Sequence, residues 1–377
     1  MSSTILIVGC GLSGAVMAER LASKGYKIVI IDKRTHIGGN VYDYIDFETG
    51  IRVSKYGAHL FHTNNERVWK YINIFSEWVR WDHQVLSLCD DKLVSVPVNI
   101  TTVNSLCNQS LQTPEEMKEW LDENQEKYET IDSSEKMAKS RVGSILYEKL
   151  FKNYTYKQWG KNPEELDPAV LARIPIRFTH DTRYFNDKYQ ALPKNGYTAL
   201  IESMLDSENI TVLLKTDYFE YIKEYSDLFD QIIYTGPIDS FYKDSGLEPL
   251  EYRSIEFIIE KYKNMNYYQQ NSVVNYPSLD VPYTRIVEYK HFLNQKSDDT
   301  IIVKEFTKSV GEPYYPVLNK KNMELYEKYK ALSMNESKIH FLGRLANYKY
   351  FNMDEAILNS LEYYDKFIIN HPHHSHL

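Results

Sequence analysis

"TILIVGCGLSGAVMAERLASKGYKIVIIDKR", residues 4–34, decides the fold class. Thr4 to Val8 is an apolar run of strand length. Gly9, Gly11 and Gly14 follow it as GxGxxG, and Val16, Met17, Leu21 and Ala22 then recur at helical spacing. Gly25 closes that helix, Lys27 to Ile31 reads as a second strand, and Asp32 ends it, 18 residues past Gly14. The glycines let the backbone turn sharply and approach a pyrophosphate seated on the helix N-terminus, while the acid accepts ribose hydroxyls. A lone GxGxxG is weak, but with both strands, the helix and the acid in register the unit reads as dinucleotide-binding.

Just beyond, "HIGGN" supplies Gly38, Gly39 and Asn40. A second glycine pair brings more backbone to the same diphosphate, as FAD proteins do more often than nicotinamide dehydrogenases; a simple hairpin turn is the alternative. The chain has 377 residues, 43% hydrophobic and 25% charged, which bounds it to one elaborated domain or two. A net charge of −8 argues against nonspecific nucleic-acid binding, so an anionic ligand needs a local arginine cluster. Cys10, Cys89 and Cys107 form no even framework and no CxxC, which favours a reducing, cytoplasmic setting. No signal peptide or spanning run is evident. No metal site is expected, and the tail "HPHHSHL" reads as disordered.

Further along, "TPEEMKEWLDENQEKYE" (113–129) and "SILYEKLFKNYTYKQW" (144–159) read as helices, the first capped by Thr113 with Pro114 and Glu116 behind it. "KLVSVPVNITTV" (92–103) reads as a strand running into a loop, and "GKNPEELDPAVLARIPIRF" (160–178) as a surface loop around a short helix, a candidate lid. "YRSIEFII", "SVVNY", "YTRIVEYKHF" and "DTIIVKEF" suggest an antiparallel sheet; "KIHFLGR" is a last strand and "MDEAILNSLEYYDKFII" a last helix. The expected architecture is α/β. A Rossmann-like FAD-binding domain is assembled from residues 1–65, 190–245 and 318–370. A mostly helical insertion covers 66–155, a lid loop and antiparallel-sheet substrate domain covers 156–189 and 246–317, and 371–377 is a tail.

Eight blocks carry a resemblance: "HIGGNVY", "YGAHLFHT", "YTYKQWG", "RIPIRF", "YFNDKYQALPKNGYT", "VPYTRIVEYKHF", "KEFTKSVGEPYYPV" and "GRLANYKY". In this order, over nearly the full length, the chain resembles the prokaryotic-type UDP-galactopyranose mutases. The resemblance implies interconversion of UDP-galactopyranose and UDP-galactofuranose on reduced FAD, whose N5 attacks the anomeric carbon as UDP leaves; NAD(P)H or dithionite would be the reductant. The nucleophile then belongs to the cofactor and no side-chain triad is needed. Family habit also implies a homodimer.

By the same resemblance, His59, Arg173, Arg285 and Arg344 carry the catalysis: His59 beside the flavin ring, Arg173 as the mobile lid cation, Arg285 as its fixed partner on the diphosphate, Arg344 against the flavin. His62 reads as structural. Cofactor contacts fall on Gly9, Gly11, Ser13, Gly14, Asp32, Lys33, Gly38, Gly39 and Asn40. Others fall on His59, Leu60, Asp217, Tyr218, Arg344, Phe351, Asn352, Met353 and Ala356. Phe151, Tyr154, Thr155 and Trp159 form the uridine site, while Tyr184, Arg253, Asn275, Tyr314, Tyr315 and Tyr350 reach the diphosphate or sugar and Glu305 the sugar end. Near residue 353 a helix N-terminus is expected to face the flavin pyrimidine.

Three positions depart from the family pattern. Asn352 stands where an Asp is usual, His83 where an Asn is, with a uracil or lid contact implied, and Leu150 where an aromatic is common. UDP-N-acetylgalactosamine, UDP-arabinopyranose or another UDP-hexose therefore remains an alternative sugar. An amine-oxidase-like FAD oxidoreductase and a catalytically weak FAD or UDP-sugar binder are the competing classes.

Overall fold

The structure is a computed structural model describing residues 3–172 and 175–371. A five-stranded parallel sheet runs in the order Ile210–Leu214, Lys27–Asp32, Thr4–Val8, Gln231–Tyr234, Ile339–Phe341. Its central strands are covered on both faces, which is why they read as unbroken apolar runs rather than alternating ones. The helix Leu12–Ala22 packs on one face, and the last helix, Met353–Asn370, lies against it. Val16, Met17, Leu21, Ile201, Leu361 and Phe367 share that core, so the two ends of the chain form one layer.

A second sheet of seven strands runs Tyr315–Pro316, Tyr252–Tyr262, Thr300–Lys308, Arg285–Glu288, Val273–Asn275, Val85–Cys89, Lys92–Val96. The expected antiparallel pairing holds except at one junction, where Val273–Asn275 runs parallel to Val85–Cys89. The hairpin Val85–Cys89/Lys92–Val96, read in the sequence as part of a mostly helical stretch, completes this sheet. A three-stranded sheet, Phe61–Thr63, Tyr189–Pro193, Trp78–Arg80, lies between the two in the chain path.

The helical layer differs from the reading of the sequence at two points. Residues after Val96 do not trail into a loop: Asn99 accepts from the Thr102 N–H (2.9 Å) and starts a helix over Ile100–Cys107. That cap overrides the strand preference of Ile100, Thr101, Thr102 and Val103. The helix Ser134–Leu146 is broken at Gly143, whose φ of +77° brings its backbone against the Asn124 carbonyl. The chain then passes through a widened helical turn, Tyr147–Lys152, into Asn153–Trp159. Thr113 caps Pro114–Asn124 as expected, with the reciprocal Glu116 contact in place. Among the described residues no helix is long and apolar enough to cross a membrane.

Candidate active site

Two cavities meet between the sheets. The first, about 450 Å³, opens over the C-terminal ends of the parallel strands, where such sheets bind ligands. Its floor is backbone. A Cβ on Gly14 would lie 1.9 Å from the Gly9 carbonyl oxygen, and one on Gly39 only 2.8 Å from the Gly11 Cα. The two glycine turns thus touch, leaving room for a ligand to approach main-chain N–H groups. Asp32 accepts from the Cys10 N–H (2.8 Å) and the Arg34 N–H (2.9 Å), one on each oxygen. A further lone pair on each oxygen remains for ribose hydroxyls. At the far end Asp217 caps Tyr218–Tyr225, and Lys33 pairs with Glu312 at 2.9 Å. The donor set and the bare backbone fit a dinucleotide. Of the residues assigned to the cofactor in the sequence, Leu60 alone lines the neighbouring cavity instead.

The second cavity, about 410 Å³, is built from side chains. Register explains its polar wall. Asn275 faces both Ser87 and Arg285 on the adjoining strands, and Arg285 faces Glu305. Directly opposed residues share a face, so four adjacent strands present Ser87, Asn275, Arg285 and Glu305 as one row. Arg285 Nε donates to Glu305 at 2.7 Å. Burial opposes the arginine's charge, and the Glu305 carboxylate more than offsets it, raising its pKa. Glu305 is 2% exposed, yet its Oε1 has no hydrogen-bond partner among the described residues. An orphaned buried acceptor beside a cation marks a place where a ligand hydroxyl is wanted.

The opposite wall is the helix Asn153–Trp159, which brings in Tyr154, Thr155 and Trp159, with Phe151 just before it. The Tyr154 hydroxyl donates to Asn275 Oδ1 across 3.4 Å. Tyr315 and Tyr350 stack with ring centroids 5.3 Å apart, Trp159 lies 6.1 Å from Tyr350, and the Arg344 guanidinium sits over Tyr315. His83 is 4% exposed, and its Nδ1 likewise has no partner among the described residues. Burial, then Arg285 and His62, push its pKa down to about 3. His62 itself stacks on Phe185 and bonds Asp187 at 2.9 Å.

Two residues assigned to the substrate do not line either cavity. Arg253 donates from Nε to the Gln158 carbonyl (3.0 Å) and lies against Gly160, at the end of the helix Asn153–Trp159. Tyr314 packs between Tyr56 and Phe257. Arg173 and tail residues 372–377 lie outside the described residues. Conversely, Phe185, Asn186 and Asp187 line the second cavity although only Tyr184 was singled out from "YFNDKYQ". Gln158 and Thr307 do too; periodicity carries no signal for them.

The cavities share one wall: His59, Arg344, Phe351, Asn352 and Met353. His59 Nδ1 lies 2.8 Å from the Gly57 carbonyl, which can only accept, so Nδ1 carries the proton and Nε2 of the neutral ring is an acceptor. Burial, followed by Arg344, lowers its pKa to about 4, keeping the ring neutral near pH 7. Buried Tyr348 holds the Arg344–Tyr350 segment from below, donating to the carbonyls of Glu251 (2.6 Å) and Val317 (3.2 Å). The helix Met353–Asn370 begins at this wall, its Asn352 N–H bonded to Glu355 at 2.7 Å.

The UDP-galactopyranose mutase family model matches residues 149–350, and an NAD(P)-binding Rossmann-like domain model matches residues 7–75. A probable UDP-galactopyranose mutase of Klebsiella pneumoniae is 40% identical over 372 residues, covering 97% of this chain and 95% of the relative. A dTDP-fucopyranose mutase of Escherichia coli is 36% identical over 376 residues, covering 97% and 98%. The crystal structure of a reduced UDP-galactopyranose mutase superposes with a TM-score of 0.73 at 14% identity, covering 98% of this chain and 96% of that one, a likeness of fold. With a backbone-lined dinucleotide cavity opening onto an arginine–carboxylate row, and relatives matched end to end, the chain belongs to the UDP-galactopyranose mutase family.

Proposed function

We propose that this protein is a flavin-dependent UDP-sugar mutase that interconverts UDP-galactopyranose and UDP-galactofuranose. The observation that carries the reading is the shared wall: a ring held by His59, Arg344 and the start of the last helix would face both cavities. FAD would be held in the first cavity by the two glycine turns, Asp32 and the shared wall. When bound and reduced, it supplies the nucleophilic electron pair for the anomeric carbon, so no side-chain nucleophile is required.

The chain's own residues do the rest. Arg285 and Arg173 hold the diphosphate by charge-assisted hydrogen bonds and favour its departure and return. Phe151, Tyr154, Thr155 and Trp159 receive the uridine, and Tyr184, Asn275, Tyr315 and Tyr350 surround the phosphates and sugar. Glu305 Oε1 accepts from a sugar hydroxyl, and His59 Nε2 accepts a hydrogen bond at the wall. Arg344, at the shared wall, would supply a cation to an anionic reduced flavin. Three free cysteines support a cytoplasmic location, and family habit supports a homodimer.

One relative favours a second reading. The 36% identity to a dTDP-fucopyranose mutase makes a dTDP-linked 6-deoxysugar the alternative substrate. Dithionite-reduced protein should convert UDP-galactofuranose to UDP-galactopyranose, followed by anion-exchange chromatography, and the oxidised protein should not. Conversion of dTDP-fucopyranose alone would move the assignment to the second reading. Consumption of an electron acceptor in step with product would remove both in favour of an oxidoreductase.

A further inference from the structure

Lys157 sits on the helix that carries Tyr154, Thr155 and Trp159 and is not among the residues lining either cavity. Its ammonium donates to three backbone carbonyls: Tyr276 at 2.5 Å, Ser278 at 2.9 Å and Val281 at 3.0 Å. All three belong to the loop joining Val273–Asn275 to Arg285–Glu288, which leaves from Asn275 and returns at Arg285. The carbonyl of Lys157 in turn accepts from the Thr307 hydroxyl, on the strand of Glu305.

The loop needs such a tie. Its sequence, "YPSLDVPY" (276–283), contains two prolines that lack an N–H. Its ladder contact is at the base, where Tyr276 N–H donates to Thr284 at 2.8 Å. Three carbonyls converging on one point call for a compact donor with three protons, which an ammonium is and a planar guanidinium is not. Burial lowers the pKa of Lys157 to about 8, so the cation is held at a cost in desolvation.

We propose that Lys157 is a positioning residue that sets the separation between the aromatic helix wall and the Asn275–Arg285 wall of the second cavity. The consequence for ligands rests on the proposed function, in which the first wall receives uridine and the second the diphosphate. A ligand touching one wall is indifferent to their spacing, whereas a ligand bridging both is not.

The test is to titrate uridine and UDP calorimetrically into the FAD-loaded protein and into Lys157→Met. The variant should bind uridine within about twofold of the unchanged protein but lose about tenfold or more in affinity for UDP, as expected when two contact surfaces are displaced by an ångström. Its KM for the UDP-sugar should rise in parallel, with flavin content unchanged. Lys157→Arg, read the same way, covers the case in which the methionine variant does not fold; it should show the same selective loss, because the fork cannot reach all three carbonyls. Equal losses for both ligands, as general damage would give, overturn the proposal. So does unchanged UDP affinity in either variant. If the unchanged protein binds no UDP, the proposed function fails and takes this inference with it, whereas normal UDP binding in all three proteins removes only the role of Lys157.

Discussion

The two cavities are made by different means. The first is a backbone site: the glycines of its two turns lie within 31 residues of one another, from Gly9 to Gly39, and its selectivity comes from where Cβ atoms are missing. The second is a side-chain site: Ser87, Asn275, Arg285 and Glu305 come from four strands spread over more than half the chain and meet only because the register aligns them. A backbone site tolerates almost no added atom at its floor but is indifferent to many side chains around it. A side-chain site keeps its shape when one of its lining residues is substituted and loses chemistry instead.

The sharpest way to break this contrast is Gly14→Ala. A methyl group 1.9 Å from the Gly9 carbonyl cannot be accommodated without moving the turn or the helix start. The protein should purify without flavin, read from its visible absorbance; a yellow variant would show that the floor is not close-packed backbone. Arg285→Ala should do the reverse. Flavin content and spectrum stay as they are, while kcat/KM falls by about a hundredfold or more, because Glu305 loses its partner and the diphosphate its clamp. Substantial activity in that variant would contradict the placement of the diphosphate.

His59→Ala falls between these, since His59 belongs to both cavities. It should shift the flavin reduction potential and lower turnover by about tenfold to a hundredfold; an unshifted potential with full rate would reduce His59 to a structural role. The smallest effect belongs to His83. Its pKa is pushed down to about 3 in the folded protein, against about 6.5 when unfolded. Between those values the unfolded chain binds the proton and the native state does not. Stability is therefore fully present above about pH 6.5 and declines as the pH falls towards 3. His83→Asn should take up about one proton fewer on unfolding at pH 5, measured as a shallower pH dependence of the denaturation midpoint. An unchanged slope would place the histidine's ring in water.

Local signals made part of this structure readable. The strand, glycine turn, helix and acid of residues 4–34 are contiguous, so each element reports on the next. The Thr113 cap and the helix from Met353 were readable for the same reason. Ile100–Cys107 was misread because its β-branched residues favour a strand in isolation, while the Asn99 cap and burial of Ile100 and Val103 favour a helix in place. Arg253 shows what a motif leaves open: its Nε is taken up by the Gln158 carbonyl, and the side chain lines neither cavity.

The sequence alone determined the dinucleotide fold, the two glycine turns and, through motif order, the family, because those depend on backbone freedom and on neighbours in the chain. Only the tertiary structure decided that Asn275, Arg285 and Glu305 form one row, that Lys157 ties their loop to the aromatic helix, and that His59, Arg344 and residues 351–353 form a common wall. Strand register and the packing of distant segments are set by the burial of the whole core, and no short stretch of residues encodes them.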